Sequence, residues 1–303
     1  AASDVYKRQI DNIPSNLTRT KRKLRAASGE GGKIDIAARF ETKRNRSFIY
    51  VQSPNSGLIE LDDQPPLEHD KDAVDISLVI SAMLNAHPVE TLQAMRKTVV
   101  DGSNTSGFQR TTLISTHGNL ITNTGEVGIS VICLEEDSAR KLSSELTEDG
   151  EIVTWNLDRL GIPLVEIATE PDIITPEHAK ETAIALGGLL RDTRRVRRGL
   201  GSIRQDLNVS IACGDRVEIK GCQDLEWIPK IIQLEMVRQL HFYRLANTLR
   251  AELEMPLLSP DRRNSEVEIE SQISKTMEEK IPLKIQNVGD AFSKCKSKMI
   301  EKE

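Results

Sequence analysis

Aromatic residues are scarce, 3% of a 303-residue chain, so a core has to be assembled from Ile, Leu and Val. No stretch approaches the ~20 apolar residues of a membrane-spanning helix. The opening AASDVYKRQ lacks an initiator Met and the apolar h-region of a secretory signal. It resembles translated adapter sequence, so residues 1–9 are expected to be non-native and 1–19 a doubtful start. The four cysteines, Cys133, Cys213, Cys222 and Cys295, show no C-x-x-C spacing. That speaks against a zinc site or disulfide framework and for reduced thiols in a cytoplasmic protein. Internal repeats and a Rossmann glycine fingerprint are also missing. Gly102 and Gly107 have the outer spacing of a phosphate loop, but Phe108-Gln109 stands where a Walker A motif needs Lys-Ser/Thr.

What is present is charge and β-type alternation. Charged residues make up 29% of the chain and the net charge is −5, which excludes a generally basic nucleic-acid binder but not a local basic patch. Residues 10–46 are polar and basic and read as solvated or poorly ordered, with an RNA contact as the alternative. SFIYV (47–51) and GLIEL (57–61) read as short strands, broken by Pro65-Pro66. Val74, Ile76, Leu78, Val79, Met83 and Leu84 give a packed helix over 72–85, ended at Ala86-His87-Pro88. His87 reads as structural or solvent-facing.

Residues 95–116 read as strand, polar loop, strand. The loop is either an ordinary hairpin loop or a source of hydroxyls and N–H groups for an anion. VGISVICLEE (127–136) is a strand with Val127, Ile129, Val131 and Cys133 on one side. Glu135 and Glu136 point to opposite faces, so only one of them faces any given cleft. In LVEIA (164–168), Glu166 sits inside an apolar run that reads as a buried strand, which demands a cation, a hydrogen-bond network or a proton. Thr175-Pro176-Glu177 starts a helix that ends among Arg191, Arg194, Arg195, Arg197 and Arg198. Cations suit a helix C-terminus, yet five exceed what its dipole needs, and phosphate or RNA is the alternative.

The stretch 199–224 reads as two strands around a Cys213-Gly214-Asp215 turn. Pairing across that turn sets Ser210 against Glu218 and Asn208 against Lys220. Asp206 and Glu218 then share a face, four residues of register or roughly 13 Å apart. A long helix over 226–252 presents Ile228, Ile231, Ile232, Leu234, Val237 and Leu240. The whole is α+β: a mostly antiparallel sheet core with three packed helices.

Five segments, MRKTVVDGSNTSGFQRT, ICLEEDSARK, NLDRLGIPLVEIATEPDI, RRGLGSIRQDLNVSI and VEIKGCQDLEWIPKII, together resemble the GatB/GatE family of glutamyl-tRNA(Gln) amidotransferase subunits, in its archaeal GatE branch. The resemblance covers approximately residues 20–303. It implies a cradle-type catalytic domain over 20–254, and a linker with the start of an inserted domain over 255–303. It further implies ATP- and Mg²⁺-dependent phosphorylation of the γ-carboxylate of glutamate carried by tRNA(Gln). Ammonia from an asparaginase-like partner (the D-type subunit), in an expected heterotetramer, then displaces the phosphate.

Carried onto this sequence, the acidic and catalytic residues are Glu136, Glu166, Asp206 and Glu218. Glu136, Glu166 and Glu218 serve as Mg²⁺ ligands, with Glu135 a weaker candidate. Ser103, Asn104, Gln109 and Arg110 of the loop motif, with Arg204 and Lys220 beside the acids, are expected at ATP phosphates. A GLEIH-like strand that opens the family is not found in residues 1–18. A relative of the bacterial GatB branch, or a tRNA-binding fragment without catalysis, is the alternative.

Overall fold

A computed structural model describes residues 17–23, 32–34, 36–54, 56, 68–199 and 201–261. The strand expected at 57–61, the Pro65-Pro66 break, Cys295 and most of the expected inserted-domain segment lie outside the described residues. In chain order the elements are β1 (Thr18–Lys23), α1 (Ile36–Lys43), β2 (Ser47–Gln52), α2 (Lys71–Met83), β3 (His87–Pro88), β4 (Ala94–Thr98), β5 (Phe108–Ile121), β6 (Glu126–Glu136), β7 (Arg140–Thr147), β8 (Gly150–Asn156), β9 (Pro163–Thr169), α3 (Pro176–Asp192), β10 (Leu207–Val209), β11 (Val217–Ile219), a 3₁₀ turn (Leu225–Trp227) and α4 (Ile228–Glu252). The fold is α+β, and among the described strands the pairing is antiparallel except between β2 and β8. The chain divides into two compact units. One joins the residues up to Ile173 with Ala185–Ser202, and the other joins Ile174–Ile184 with the residues from Ile203 onward.

In the first unit, a four-stranded sheet runs β1-β2-β8-β7. Here the basic segment expected to be solvated or poorly ordered forms β1 and α1, ordered elements whose described side chains are mostly exposed. The β2 edge claims the β1 backbone in six consecutive pairs, from Thr18↔Gln52 to Lys23↔Ser47. The charges are used locally: Lys23 Nζ donates to Asn45 Oδ1 at 2.7 Å, and buried Glu41 accepts from Arg46 at 2.7 Å. Phe48, Tyr50, Val153, Trp155 and Leu157 form the core of this sheet.

The second sheet of this unit has the order β3-β5-β6-β9, with β4 pairing along β5 beyond β3. One of its faces is covered by α2 and the second half of α3. Ile80 and Leu84 meet Leu120, Ile129 and Ile132, and Val165, Ile167, Leu186 and Leu189 pack around them. The helix α2 is capped by Asp70, whose carboxylate accepts from Ala73 N at 2.8 Å. Its buried line is Ala73, Ser77, Ile80 and Ser81, whereas Leu78, Val79 and Met83 are exposed. Apolar spacing missed this line because two of its members are serines. Ser77 and Ser81 donate back to Ala73 O and Ser77 O, both at 2.8 Å, and Ser81 meets Ser115 at 2.7 Å. A satisfied hydroxyl can be buried without penalty and is small enough for close helix–sheet approach.

Two β-bulges set the phase of this sheet. Ile114 is an extra residue in β5 opposite β6, and Ser130 is an extra residue in β6 opposite β9. The core positions of β6 therefore change from odd to even, from Val127 and Ile129 to Ile132 and Leu134. Cys133 does not continue the Val127–Ile129 face, contrary to simple alternation.

In the second unit, β10 and β11 form a two-stranded hairpin and α4 lies against it. Ile228 is fully buried, but the rest of the buried line is Glu235 and Gln239, while Leu234 and Val237 of the expected apolar face are exposed. The α4 side chain that grips the hairpin is an amide. Gln239 donates to Val209 O at 2.9 Å and accepts from Ile211 N at 3.2 Å.

The loop between β4 and β5 is fixed to the first sheet at Gly102, where Tyr50 donates to Gly102 O at 2.8 Å. Gly102 has φ +86°, and a Cβ there would lie 2.4 Å from the Phe48 ring. Gly102→Ala is therefore expected to destabilise the first unit by about 2–4 kcal/mol, from overpacking plus left-handed strain, measured by urea unfolding. Gly161→Ala, also at positive φ but with open space around it, is expected to cost less.

Candidate active site

The face of the second sheet opposite its helices is polar. Cys133 lies directly across from Glu166 on β9 and Leu113 on β5, and Glu135 directly across from Thr111. Partners in register share a face, as do residues two apart, so Thr111, Cys133, Glu135 and Glu166 lie together. Thr111 Oγ1 donates to Glu135 at 3.0 Å, and Lys97 on β4 comes within 3.7 Å of it. Gln109 donates to Glu135 at 3.3 Å and to Glu136 O at 2.7 Å. Burial pushes the Cys133 thiol above its ordinary range, and the negative charges of Glu166 and Glu135 push it further the same way.

Glu136 lies on the other face, the one that carries Leu134, where it forms an ion pair with Arg110 through Nε at 2.7 Å and through Nη2. Of the two neighbouring acids, Glu135 is the one placed with Glu166. Glu166 is exposed, not buried as the apolar run around it suggested. The reason is topological: among the described residues β9 borders only β6, and its Val165 and Ile167 fill the helix-covered side while Glu166 lies on the opposite face.

The polar loop turns inward. Ser103, Asn104 and Thr105 are buried, and Asp101 takes both Ser103 N–H at 2.9 Å and Ser103 Oγ at 2.6 Å. Asn104 Nδ2 has no hydrogen-bond partner among the described residues. It borders a cavity of about 10 Å³ between Arg22, Phe48, Tyr50, Val99, Gly102 and Gly107, room for one water at most and not for a phosphate. Ser103 and Asn104, expected at ATP phosphates, are both buried here, and Ser103 holds the loop through Asp101.

In the second unit the hairpin register differs from the expected one by two residues. Asn208 pairs with Glu218, not Lys220, and Val209 with Val217. The turn spans more residues than Cys213-Gly214-Asp215, and the paired strands are shorter than the alternation over 203–211. This brings Asp206 to within two residues of register of Glu218, roughly 7 Å along the strand in place of roughly 13 Å. Lys220 Nζ donates to both, at 3.1 Å to Asp206 and 2.8 Å to Glu218. The hydrogen bond to Glu218, and then that to Asp206, hold the Lys220 ammonium above its usual range. All three groups are exposed, as is Arg204.

Among the described residues, no three His, Cys, Asp or Glu side chains gather closely enough to hold a metal ion. Two carboxylates from adjacent strands, Glu135 and Glu166, suit Mg²⁺ nonetheless. That ion keeps several waters and is commonly bound by one or two carboxylates plus substrate phosphates.

Residues 35–285 match the GatB/GatE catalytic domain family, to which the chain belongs. It is 43% identical over 281 residues to the E-type subunit of glutamyl-tRNA(Gln) amidotransferase from Methanocaldococcus jannaschii, an overlap of 92% of this chain and 40% of that protein. It is 49% identical over 250 residues to the protein of the same name from Pyrococcus furiosus, 80% of this chain and 39% of that one. With the Methanosarcina acetivorans protein it shares 51% over 220 residues, 73% and 34% of the two chains. The chain thus spans about 40% of the length of the first of these relatives, and no helix among the described residues is long and apolar enough to cross a membrane.

Sequence reasoning missed Lys97, Thr111 and Cys133 as neighbours of the acids, although β-alternation from Gln109 and Glu135 points to them. It had no signal for Gln239, since a buried amide looks like any polar helix residue. Two outcomes follow from this geometry. Alkylation of Cys133 in the folded protein is expected on the order of tenfold slower than that of a free thiol at pH 8, rising only above the ordinary thiol range; mass spectrometry of peptides after iodoacetamide measures it. Gln239→Ala is expected to cost about 1–3 kcal/mol by stranding backbone groups of the hairpin. Hydrogen exchange at Ile211 should accelerate while that at Ile132 does not.

Proposed function

We propose that the full protein acts in the cytoplasm as the phosphorylating subunit of a glutamyl-tRNA(Gln) amidotransferase. The observation that supports this reading is that Glu135 and Glu166 lie diagonally on one sheet face, Glu166 across from Cys133 and Glu135 two residues further along β6, in a chain of the GatB/GatE catalytic domain family. In the first step an oxygen of the tRNA-bound glutamate's γ-carboxylate attacks the γ-phosphorus of ATP. A C–O–P linkage forms and ADP leaves. In the second, ammonia attacks that acyl carbon, phosphate leaves with the bonding pair, and the nitrogen gives up one proton, yielding Gln-tRNA(Gln). Ammonia is supplied by an asparaginase-like D-type partner, with which the chain forms a heterotetramer.

The residues divide by chemistry. Glu135 and Glu166 would hold Mg²⁺, which when bound neutralises developing phosphoryl charge. Glu136 keeps Arg110 oriented at the end of the same strands, and Gln109 fixes Glu135. Lys220, poised between Asp206 and Glu218 on the hairpin of the second unit, offers its third N–H and its charge to phosphate oxygens, with Arg204 as a second cation. Asp206 and Glu218 hold that ammonium charged.

The test uses the full-length protein with its asparaginase-like partner, ³²P-labelled ATP and Glu-tRNA(Gln). Glu166→Gln and Glu218→Gln are each expected to lower γ-phosphoryl-Glu-tRNA formation by about 10²-fold or more with tRNA binding retained. Normal turnover by either variant would sink the role given to that residue. An unaltered enzyme that forms no Gln-tRNA would sink the reading as a whole.

A further inference from the structure

Most arginines of this protein whose contacts are resolved are neutralised by a carboxylate. Arg46 meets Glu41 and Glu151, Arg110 meets Glu136, Arg159 meets Asp137, and Arg238 meets Glu235. Arg19, Arg39, Arg216 and Arg244 are exposed without one, and so are Arg191, Arg194, Arg195, Arg197 and Arg198, which differ in standing together within eight residues. All five are exposed, and none has a side-chain hydrogen bond or ion pair among the described residues. Asp192 is the single acid among them. Only Arg191 lies inside α3, so the helix dipole accounts for one of the five. The helix stops at Asp192, Arg194 takes a left-handed φ of +57°, and the remaining arginines follow in a non-helical run that leads to Gly199 at φ +121°.

A run of guanidinium groups without carboxylates to match is conspicuous in a chain whose net charge is −5. Such a chain repels a polyanion except where cations are concentrated. Arg is also the side chain whose planar fork fits phosphate oxygens two at a time, and an irregular backbone can follow a strand of phosphates where a helix presents a single face.

We infer that residues 191–198 form a contact for the sugar-phosphate backbone of RNA, reading charge and spacing and not bases. This rests on the amidotransferase reading, because it is the tRNA substrate of that reaction that brings the phosphates. The segment belongs to the first unit, and none of its residues is among the acids and amides of the candidate site.

The experiment is filter binding of a tRNA(Gln) transcript to the full-length protein between about 50 and 200 mM salt. The variant is Arg194→Ser, Arg195→Ser, Arg197→Ser and Arg198→Ser combined, with a matching all-Lys form. Each arginine that engages a phosphate contributes about 0.7–0.9 to the slope of log affinity against log salt. The serine form is therefore expected to lose about 3 from the slope if all four engage, and tenfold or more in affinity near the low end of that range. The lysine form should keep the slope while losing part of the affinity, since charge survives and the fork does not. If the combined variant melts early, the four single serine variants, each expected to lose about 0.7–0.9 of slope, give the same answer.

A serine form with unchanged affinity and slope overturns this inference and leaves the amidotransferase reading intact. The inference also falls if that form binds RNA normally but releases its asparaginase-like partner, which would make the segment a protein contact. An unaltered protein that binds no RNA removes both readings together.

Discussion

One extra residue in β6 governs much of what surrounds it. Without the bulge at Ser130, the odd positions that bury Val127 and Ile129 would carry on through Cys133 to Glu135, and the carboxylate would be driven into the helix-covered core. Burying an unpaired carboxylate there costs several kcal/mol at least, so the bulge is a condition for this sequence to fold with α2 in place. With it, Ile132 and Leu134 close the core, and Cys133 and Glu135 turn to the open face beside Glu166. The second bulge, at Ile114, lets two consecutive residues of β5 face α2: Ile114 packs with Ala73, and Ser115 meets Ser81. Bulges of this kind sharpen local twist and re-aim side chains. Here they separate a dry face from a wet one within a single sheet.

The elements were largely legible in the sequence, and their faces less so. Alternation found β5 and β6, and the Thr175-Pro176-Glu177 start of α3 is realised with Thr175 Oγ1 accepting from His178 N at 3.2 Å. Alternation could not reveal a bulge, because an inserted residue changes phase without changing composition. The expectation of a buried Glu166 fails for a related reason. LVEIA looks the same in a central strand and in an edge strand, and only the strand order decides. The serines of α2 and the Glu235–Gln239 line of α4 escaped because apolar periodicity counts a satisfied polar group as outward-facing. The resemblance of motifs names Glu136, Glu166, Asp206 and Glu218 as candidates without their geometry. It could not say that Glu136 would be turned toward Arg110 while Glu135 joins Glu166.

The hairpin of the second unit shows how a small shift in register changes chemistry. Two residues of slip bring Asp206 and Glu218 from separate positions along a strand to a shared ammonium. What fixes that register is not the hairpin's own short ladder of three pairs but the amide of Gln239. It contacts the backbone at Val209 and Ile211 and approaches Gly214 so closely that a Cβ there would lie 2.2 Å from Gln239 Oε1. Arg238 in turn holds Glu235 below the usual carboxylate range, with Glu235 accepting from Gln239 at 2.8 Å. The exposed charges of the hairpin therefore depend on a buried polar chain in the helix behind it.

The position of Glu166 on an outer strand also bears on how the chain avoids its neighbours in a crowded solution. Among the described residues β9 has a partner on one side only, and its sequence without the acid would be a short apolar ribbon with backbone groups free to pair. Such edges recruit other edges, and natural proteins blunt them with charge and proline. β9 opens with Pro163 and carries Glu166 at its centre. The exposed carboxylate at the centre of this edge is thus a guard against self-association, and replacing it with an apolar residue favours aggregation.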